Sequence, residues 1–128
     1  MFGQKNELAE KVTYFSFAMG KFSGDYNKLE LVTEGDAKVK FLTSGKIVDV
    51  SPLTSKNIEK YFDKLFATGI MEWQEEYIDS SIKDGIQWNI EIHFKDGTTR
   101  EIYGSNKYPE TWKKFIKCVN SLDVPDIK

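Results

Sequence analysis

His93 is the only histidine of the chain, and any Ser-His-Asp or Cys-His arrangement would have to run through it as the general base. It falls on the polar side of an alternating run and reads as a solvated strand residue; an enzyme would need a carboxylate beside it. Cys118 is the only cysteine, which excludes an intramolecular disulfide and a cysteine-based zinc site within one chain. It lies at the border of an apolar helical stripe, with Lys114 and Lys117 as the only bases near enough in sequence to activate it, and reads as a small packing residue. Glu72, Glu75, Glu76 and Asp79 form an acidic run with no basic residue between Ile70 and Ser81. Read as a strand, that run puts Glu72 and Glu76 on one face and Glu75 and Asp79 on the other, so no three carboxylates converge on a metal or a scissile bond. Glu72 and Glu76 are instead a candidate acidic docking patch for a basic partner.

The segment Gly104-Ser105-Asn106-Lys107-Tyr108-Pro109 leads from a strand into a helix but lacks the glycine and lysine spacing of a phosphate loop. Glu110 already supplies negative charge to the helix start. The loop therefore reads as structural, with Gly104 giving backbone freedom, Asn106 a local turn and Pro109 the first helical position. Lys107, Tyr108, Lys113, Lys114 and Lys117 make the most basic surface in the chain and the first candidate for contact with an acidic partner. No catalytic, cofactor-binding or metal-ligating residue is assigned.

The elements that must position these residues follow from periodicity. Val12 to Met19 predicts a strand with Phe15, Phe17 and Met19 on one face, and Ser23 to Asn27 a turn. Two more strands follow, around Leu29 to Thr33 and Lys38 to Phe41, joined by Glu34-Gly35-Asp36, and a short one spans Lys46 to Val50 before Ser51-Pro52 breaks the ladder. Between Ser55 and Thr68, Ile58, Tyr61, Phe62, Leu65 and Phe66 recur at helical spacing, with Thr54 or Ser55 as cap and Gly69 as the left-handed stop. Ile70 to Ser81 reads as a strand, Lys83-Asp84-Gly85 as a hairpin turn and Trp88 to Phe94 as a strand with Trp88, Ile90, Ile92 and Phe94 inward. After Lys95-Asp96-Gly97 come a returning strand, Thr98 to Tyr103, and a helix from Pro109 to about Leu122 carrying Trp112, Phe115, Ile116 and Val119. An offset of about 54 residues aligns the two helical stripes, which leaves open two β-meander–helix units.

The 128 residues suit one domain spanning 1–128, and 40% apolar with 30% charged side chains suits a globular chain. A net charge of −2 with Arg100 as the only arginine argues against a surface built for duplex nucleic acid. No signal segment or membrane-spanning run is read, so a cytoplasmic location is expected.

The run Trp88-Asn-Ile-Glu-Ile-His-Phe-Lys-Asp-Gly97, then Gly104-Ser-Asn-Lys-Tyr-Pro109, then Trp112 and Phe115, resembles a pattern shared by small, uncharacterised bacterial and phage-type proteins. The resemblance covers about a quarter of the chain and implies a strand-hairpin-helix module, with no activity to carry over. The expected fold is α+β, a largely antiparallel sheet of about six or seven strands with two amphipathic helices on one face. The expected function is that of a small non-catalytic binding or regulatory protein that docks on another macromolecule, most simply a protein, with no cofactor. One alternative is a single-stranded nucleic-acid module using Tyr26, Tyr103 or Tyr108 for stacking with Lys107, Lys113, Lys114 and Lys117 on phosphates. The other is an enzyme using His93 with a nearby carboxylate.

Overall fold

A computed structural model describes residues 11–21, 25–81 and 85–121. Its elements are β1 (Val12–Lys21), β2 (Tyr26–Val32), β3 (Lys38–Thr43), β4 (Lys46–Pro52), α1 (Ser55–Phe66), β5 (Glu76–Ile78), β6 (Ile86–Phe94), β7 (Thr99–Ser105) and α2 (Trp112–Val119). The strands form one seven-stranded sheet in the order β4-β3-β2-β1-β6-β7-β5. Every neighbouring pair is antiparallel except β5 with β7. The fold is α+β.

Alternation decides which face is buried. Phe15, Phe17 and Met19 on β1 are buried with Leu29 and Leu31, Val39 and Phe41, Trp88, Ile90 and Ile92, and Ile102 on the other strands. Both helices close over this face: Phe62 of α1 meets Phe15 edge-on at 6.2 Å between ring centres, and Phe115 of α2 meets Phe17 edge-on at 4.9 Å. Such perpendicular ring pairs contribute about 0.5–1.5 kcal/mol beyond their buried area. The cap of α1 is as its sequence predicts, with the Thr54 side-chain oxygen accepting from the Asn57 amide at 3.1 Å. Gly69, just past the helix, holds the left-handed φ of 84° that ends it.

Five expectations are corrected. Ile70 to Ser81 is not one strand: Ile70–Glu72 is a 3-10 turn, the chain bends through Trp73, and only Glu76–Ile78 joins the sheet. The reason is burial, because Ile70 and Trp73 both sink into the core and a strand would have put them on opposite faces. Second, β5 pairs with β7 rather than with β6, so no β5–β6 hairpin forms; Lys83 and Asp84 themselves lie outside the described residues. The second half is accordingly no meander, and the two-unit arrangement does not hold. Third, β4 runs on through Pro52, which sits opposite Lys38 on an edge strand where its missing N–H costs no ladder bond. Fourth, α2 begins at Trp112 instead of Pro109, with Pro109 to Thr111 forming the turn that leads in and the Pro109 carbonyl accepting from the Trp112 amide.

The fifth concerns Gly104. It lies within β7 with no left-handed backbone; what requires glycine is closeness, since a Cβ there would stand 2.0 Å from Cε2 of Trp88. The Trp88 ring rests against the bare backbone and its Nε1–H donates to the Lys107 carbonyl at 3.0 Å. Asn106 does make the local turn, at φ 60°. It closes on Ile86 twice: its side-chain Oδ1 accepts from the Ile86 amide at 2.8 Å, and its own amide donates to the Ile86 carbonyl at 2.9 Å. Ser23, Gly24 and Leu122, each given a role above, lie outside the described residues.

Candidate functional site

With both helices on one face, side chains of the opposite parity on each strand project from the other face. On the central strand β1 these are Tyr14, Ser16, Ala18 and Gly20, a series that shrinks along the strand. Next to its small end stand Tyr26 and Lys28 on β2, and Gln87 and Asn89 on β6, which pair in register with Gly20 and Ala18. Tyr103 on β7 lies opposite Asn89, and Glu76 on β5 lies beside Tyr103. The result is an open groove of about 690 Å³. Ala18, Gly20, Gln87 and Asn89 form its floor, and Tyr26 and Tyr103, 41% and 39% exposed, stand at its sides.

The charges are segregated across it. Lys21 and Lys28 lie toward the β1–β2 side, and Glu75, Glu76 and Glu101 toward the β5–β7 side. Glu101 is directly opposite Glu91 of β6, and Glu91 is one strand away from Ser16, which faces Glu30 on its other side. Like charges directly opposite across a sheet destabilise it; Glu30 faces Lys40 of β3, whereas Glu101 has Glu91 opposite it, so the excess of carboxylate lies on the β5–β7 side of the groove.

At the far end of the same face, His93 is not simply solvated. Its Nε2 lies 2.8 Å from Glu91 Oε2, and its ring packs 5.0 Å from that of Tyr14. The Tyr14 hydroxyl donates to Glu30 Oε2 at 2.5 Å, and Lys28 Nζ is 3.8 Å from the same carboxylate oxygen. Burial first, and the Glu30 hydrogen bond second, push the Tyr14 phenol well above its ordinary value. Tyr14 is thereby a fixed neutral donor. Among the described residues no group of three or more His, Cys, Asp or Glu side chains is placed to hold a metal ion.

The residues proposed from sequence are distributed differently from the grouping expected. Glu76 lines the groove, but Glu72 sits in the 3-10 turn outside its lining. Lys113, Lys114 and Lys117 are exposed on α2, which packs on the opposite sheet face. Tyr108 is held between rings, 6.4 Å from Trp88 and nearly parallel to it, and 4.9 Å from Trp112. Tyr26 and Tyr103 therefore do not share a surface with Tyr108 and the α2 lysines, and the stacking platform expected from all of them divides in two. Lys107 lies close enough to Asp79 to help lower that carboxyl's pKa, behind the larger effect of hydrogen bonds from Ser81. Burial pushes the Cys118 thiol up to about 11. Sequence reasoning missed Lys21, Lys28, Gln87, Asn89 and Glu101; the shrinking outward series on β1 was the available signal.

No family model matches this chain, and no curated protein matches it at a significant level. No helix among the described residues is long and apolar enough to cross a membrane.

Proposed function

We propose that this chain is a non-catalytic binding protein that docks a basic polypeptide segment in the groove of its helix-free sheet face. The observation that carries the reading is the excess of carboxylate there: Glu75, Glu76 and Glu101 face only Lys21 and Lys28 across the groove, with Glu91 directly opposite Glu101. A partner's lysine or arginine side chains relieve that repulsion, and the half-exposed rings of Tyr26 and Tyr103 supply contact area at small entropic cost. The side-chain amides of Gln87 and Asn89 on the floor can donate and accept, which suits a peptide backbone. The same carboxylates oppose a phosphate backbone, so a single-stranded nucleic acid fits this face less well despite the two tyrosines.

The test is fluorescence anisotropy with a labelled lysine–glycine peptide, an oligodeoxythymidylate and a polyglutamate of equal length. The peptide should bind in a salt-sensitive way and lose about tenfold or more in affinity to the protein bearing Glu75→Lys, Glu76→Lys and Glu101→Lys. Tighter binding of the oligonucleotide, or peptide binding indifferent to the three reversals, would overturn the reading. A second reading, an enzyme with His93 as base, draws on one observation, the 2.8 Å contact with Glu91 that could orient the imidazole. Proteins of that kind would lose turnover on His93→Gln while retaining the docking affinity.

A further inference from the structure

β4 ends the sheet, and it carries three of the most exposed aliphatic side chains among the described residues: Ile47 and Val48 at 56% and Val50 at 47%. A long apolar edge strand is a template for another strand and is ordinarily blunted by charge or brevity. Here the hydrogen-bond phase shows which backbone groups the edge offers. The Leu53 amide donates to the Ala37 carbonyl at 3.0 Å, so that pair is hydrogen-bonded. Alternation along the register Lys38↔Pro52, Val39↔Ser51, Lys40↔Val50, Phe41↔Asp49 then aims the N–H and C=O of Ser51 and Asp49 at β3 and those of Val50 outward.

At the other end, Ser44 and Gly45 form a two-residue loop with φ of 49° and 85°, the primed turn whose flanking pair, Thr43 and Lys46, is hydrogen-bonded. Ile47 therefore also turns its backbone outward. A bulge between Phe41 and Leu42 in the register absorbs Val48 and keeps the two ends in phase. Opposite Leu42 and Lys40, Ile47 and Val50 both project from the helix-free face.

We propose that β4 is the interface of a two-fold homodimer, in which it pairs antiparallel with β4 of a second copy so that Ile47 of each protomer lies opposite Val50 of the other. In this register the two outward-bonding residues of one edge meet the two of its partner, and each aliphatic side chain covers another. The charges agree with it. Lys46 and Asp49 both point to the helix side, opposite Thr43 and Phe41; pairing Ile47 with Val50 puts Lys46 of one copy diagonal to Asp49 of its mate, twice by symmetry, with the two Asp49 side chains one residue out of direct opposition between the two lysines. Shifting the strands so that Asp49 faces Asp49, or Lys46 faces Lys46, puts a like pair in direct opposition and loses the Lys46–Asp49 diagonals. Because the two-fold axis stands perpendicular to the sheet, the sheet continues across it and both docking grooves open on the same side.

Sedimentation equilibrium of the full chain over about 1 µM to 1 mM tests this. The wild type should pass from 14.8 kDa toward twice that mass. Val50→Pro deletes an N–H that the monomer does not use and should weaken dimerisation about tenfold or more, with circular dichroism confirming the fold. Lys46→Glu and Asp49→Lys should each weaken it, and the double exchange should restore it, a rescue that association through a mere apolar patch cannot produce. A monomer throughout the range, or a dimer unmoved by Val50→Pro and unrescued by the charge exchange, overturns the proposal.

Discussion

Gly104→Ala adds one methyl group to a strand residue, and its cost can be worked from the distances around it. The new Cβ would stand 2.0 Å from Cε2 and 2.1 Å from Nε1 of Trp88, so the indole must withdraw by more than an ångström to reach an ordinary contact. It has nowhere to go without loss. Trp88 is buried, its ring centre lies 4.6 Å from that of Trp112 and 6.0 Å from that of Tyr77, and its N–H is engaged with the Lys107 carbonyl at 3.0 Å. Overpacking a filled core costs about 1–3 kcal/mol, and a buried N–H deprived of its acceptor about 1–3 kcal/mol more, giving about 2–6 kcal/mol together. Urea unfolding followed by tryptophan fluorescence and by circular dichroism should return that loss as a lower midpoint at unchanged slope, with a fall in Tm of about 7 °C or more. If the clash is the cause, Trp88→Phe in the Gly104→Ala background recovers part of the loss, and the double-mutant cycle gives a coupling of about 1 kcal/mol or more. A Gly104→Ala protein within about 0.5 kcal/mol of wild type would refute the account of why glycine stands there.

Two further outcomes follow from burial of titratable groups. Burial raises the phenols of Tyr14 and Tyr61 above their ordinary value, so the native state favours their neutral forms; that stabilisation is complete below about pH 10, and it drains away as pH rises from there toward the folded values. Absorbance titration at 295 nm of wild type against Tyr14→Phe and Tyr61→Phe should show no tyrosinate from either residue near pH 10, and a difference signal there would contradict the burial argument. For Cys118, with its thiol pushed up to about 11 by burial, Ellman's reagent at pH 8 should react at least about a hundredfold more slowly with native than with urea-unfolded protein; equal rates would place the sulfur at the surface.

How far the primary structure could be read varied with the range of the interactions involved. The stripe of Tyr61, Phe62, Leu65 and Phe66 needs only the period of a helix to be seen, and the Thr54 cap and Gly69 stop lie within one turn of its ends. Trp88, Ile90 and Ile92 alternate and are buried as alternation requires. The segment from Ile70 to Ser81 alternates equally well on paper, yet Ile70 and Trp73 are claimed by the core beneath α1 and α2, and Arg100 donates to the Trp73 carbonyl from a strand distant in sequence. Gly104 reads from sequence as a point of backbone freedom in a loop, a local property, whereas the indole lying on its backbone is not local.

The candidate site divides in the same way. Each of its residues has a face assigned by period, so the polarity of Glu91, His93 and Asn89 was legible along β6. Which strands lie beside which is a matter of tertiary structure: β1 and β6, remote in the chain, become the sheet's centre, and only then do Glu91 and Glu101 oppose each other while Tyr26 and Tyr103 flank the same groove. Sequence by itself determined the elements, their buried faces and the amphipathic helices, because those depend on side chains a few residues apart. Strand order, the parallel docking of β5 and the gathering of carboxylates on one face were decided by the folded chain, because they depend on pairings between segments whose separation no periodicity records.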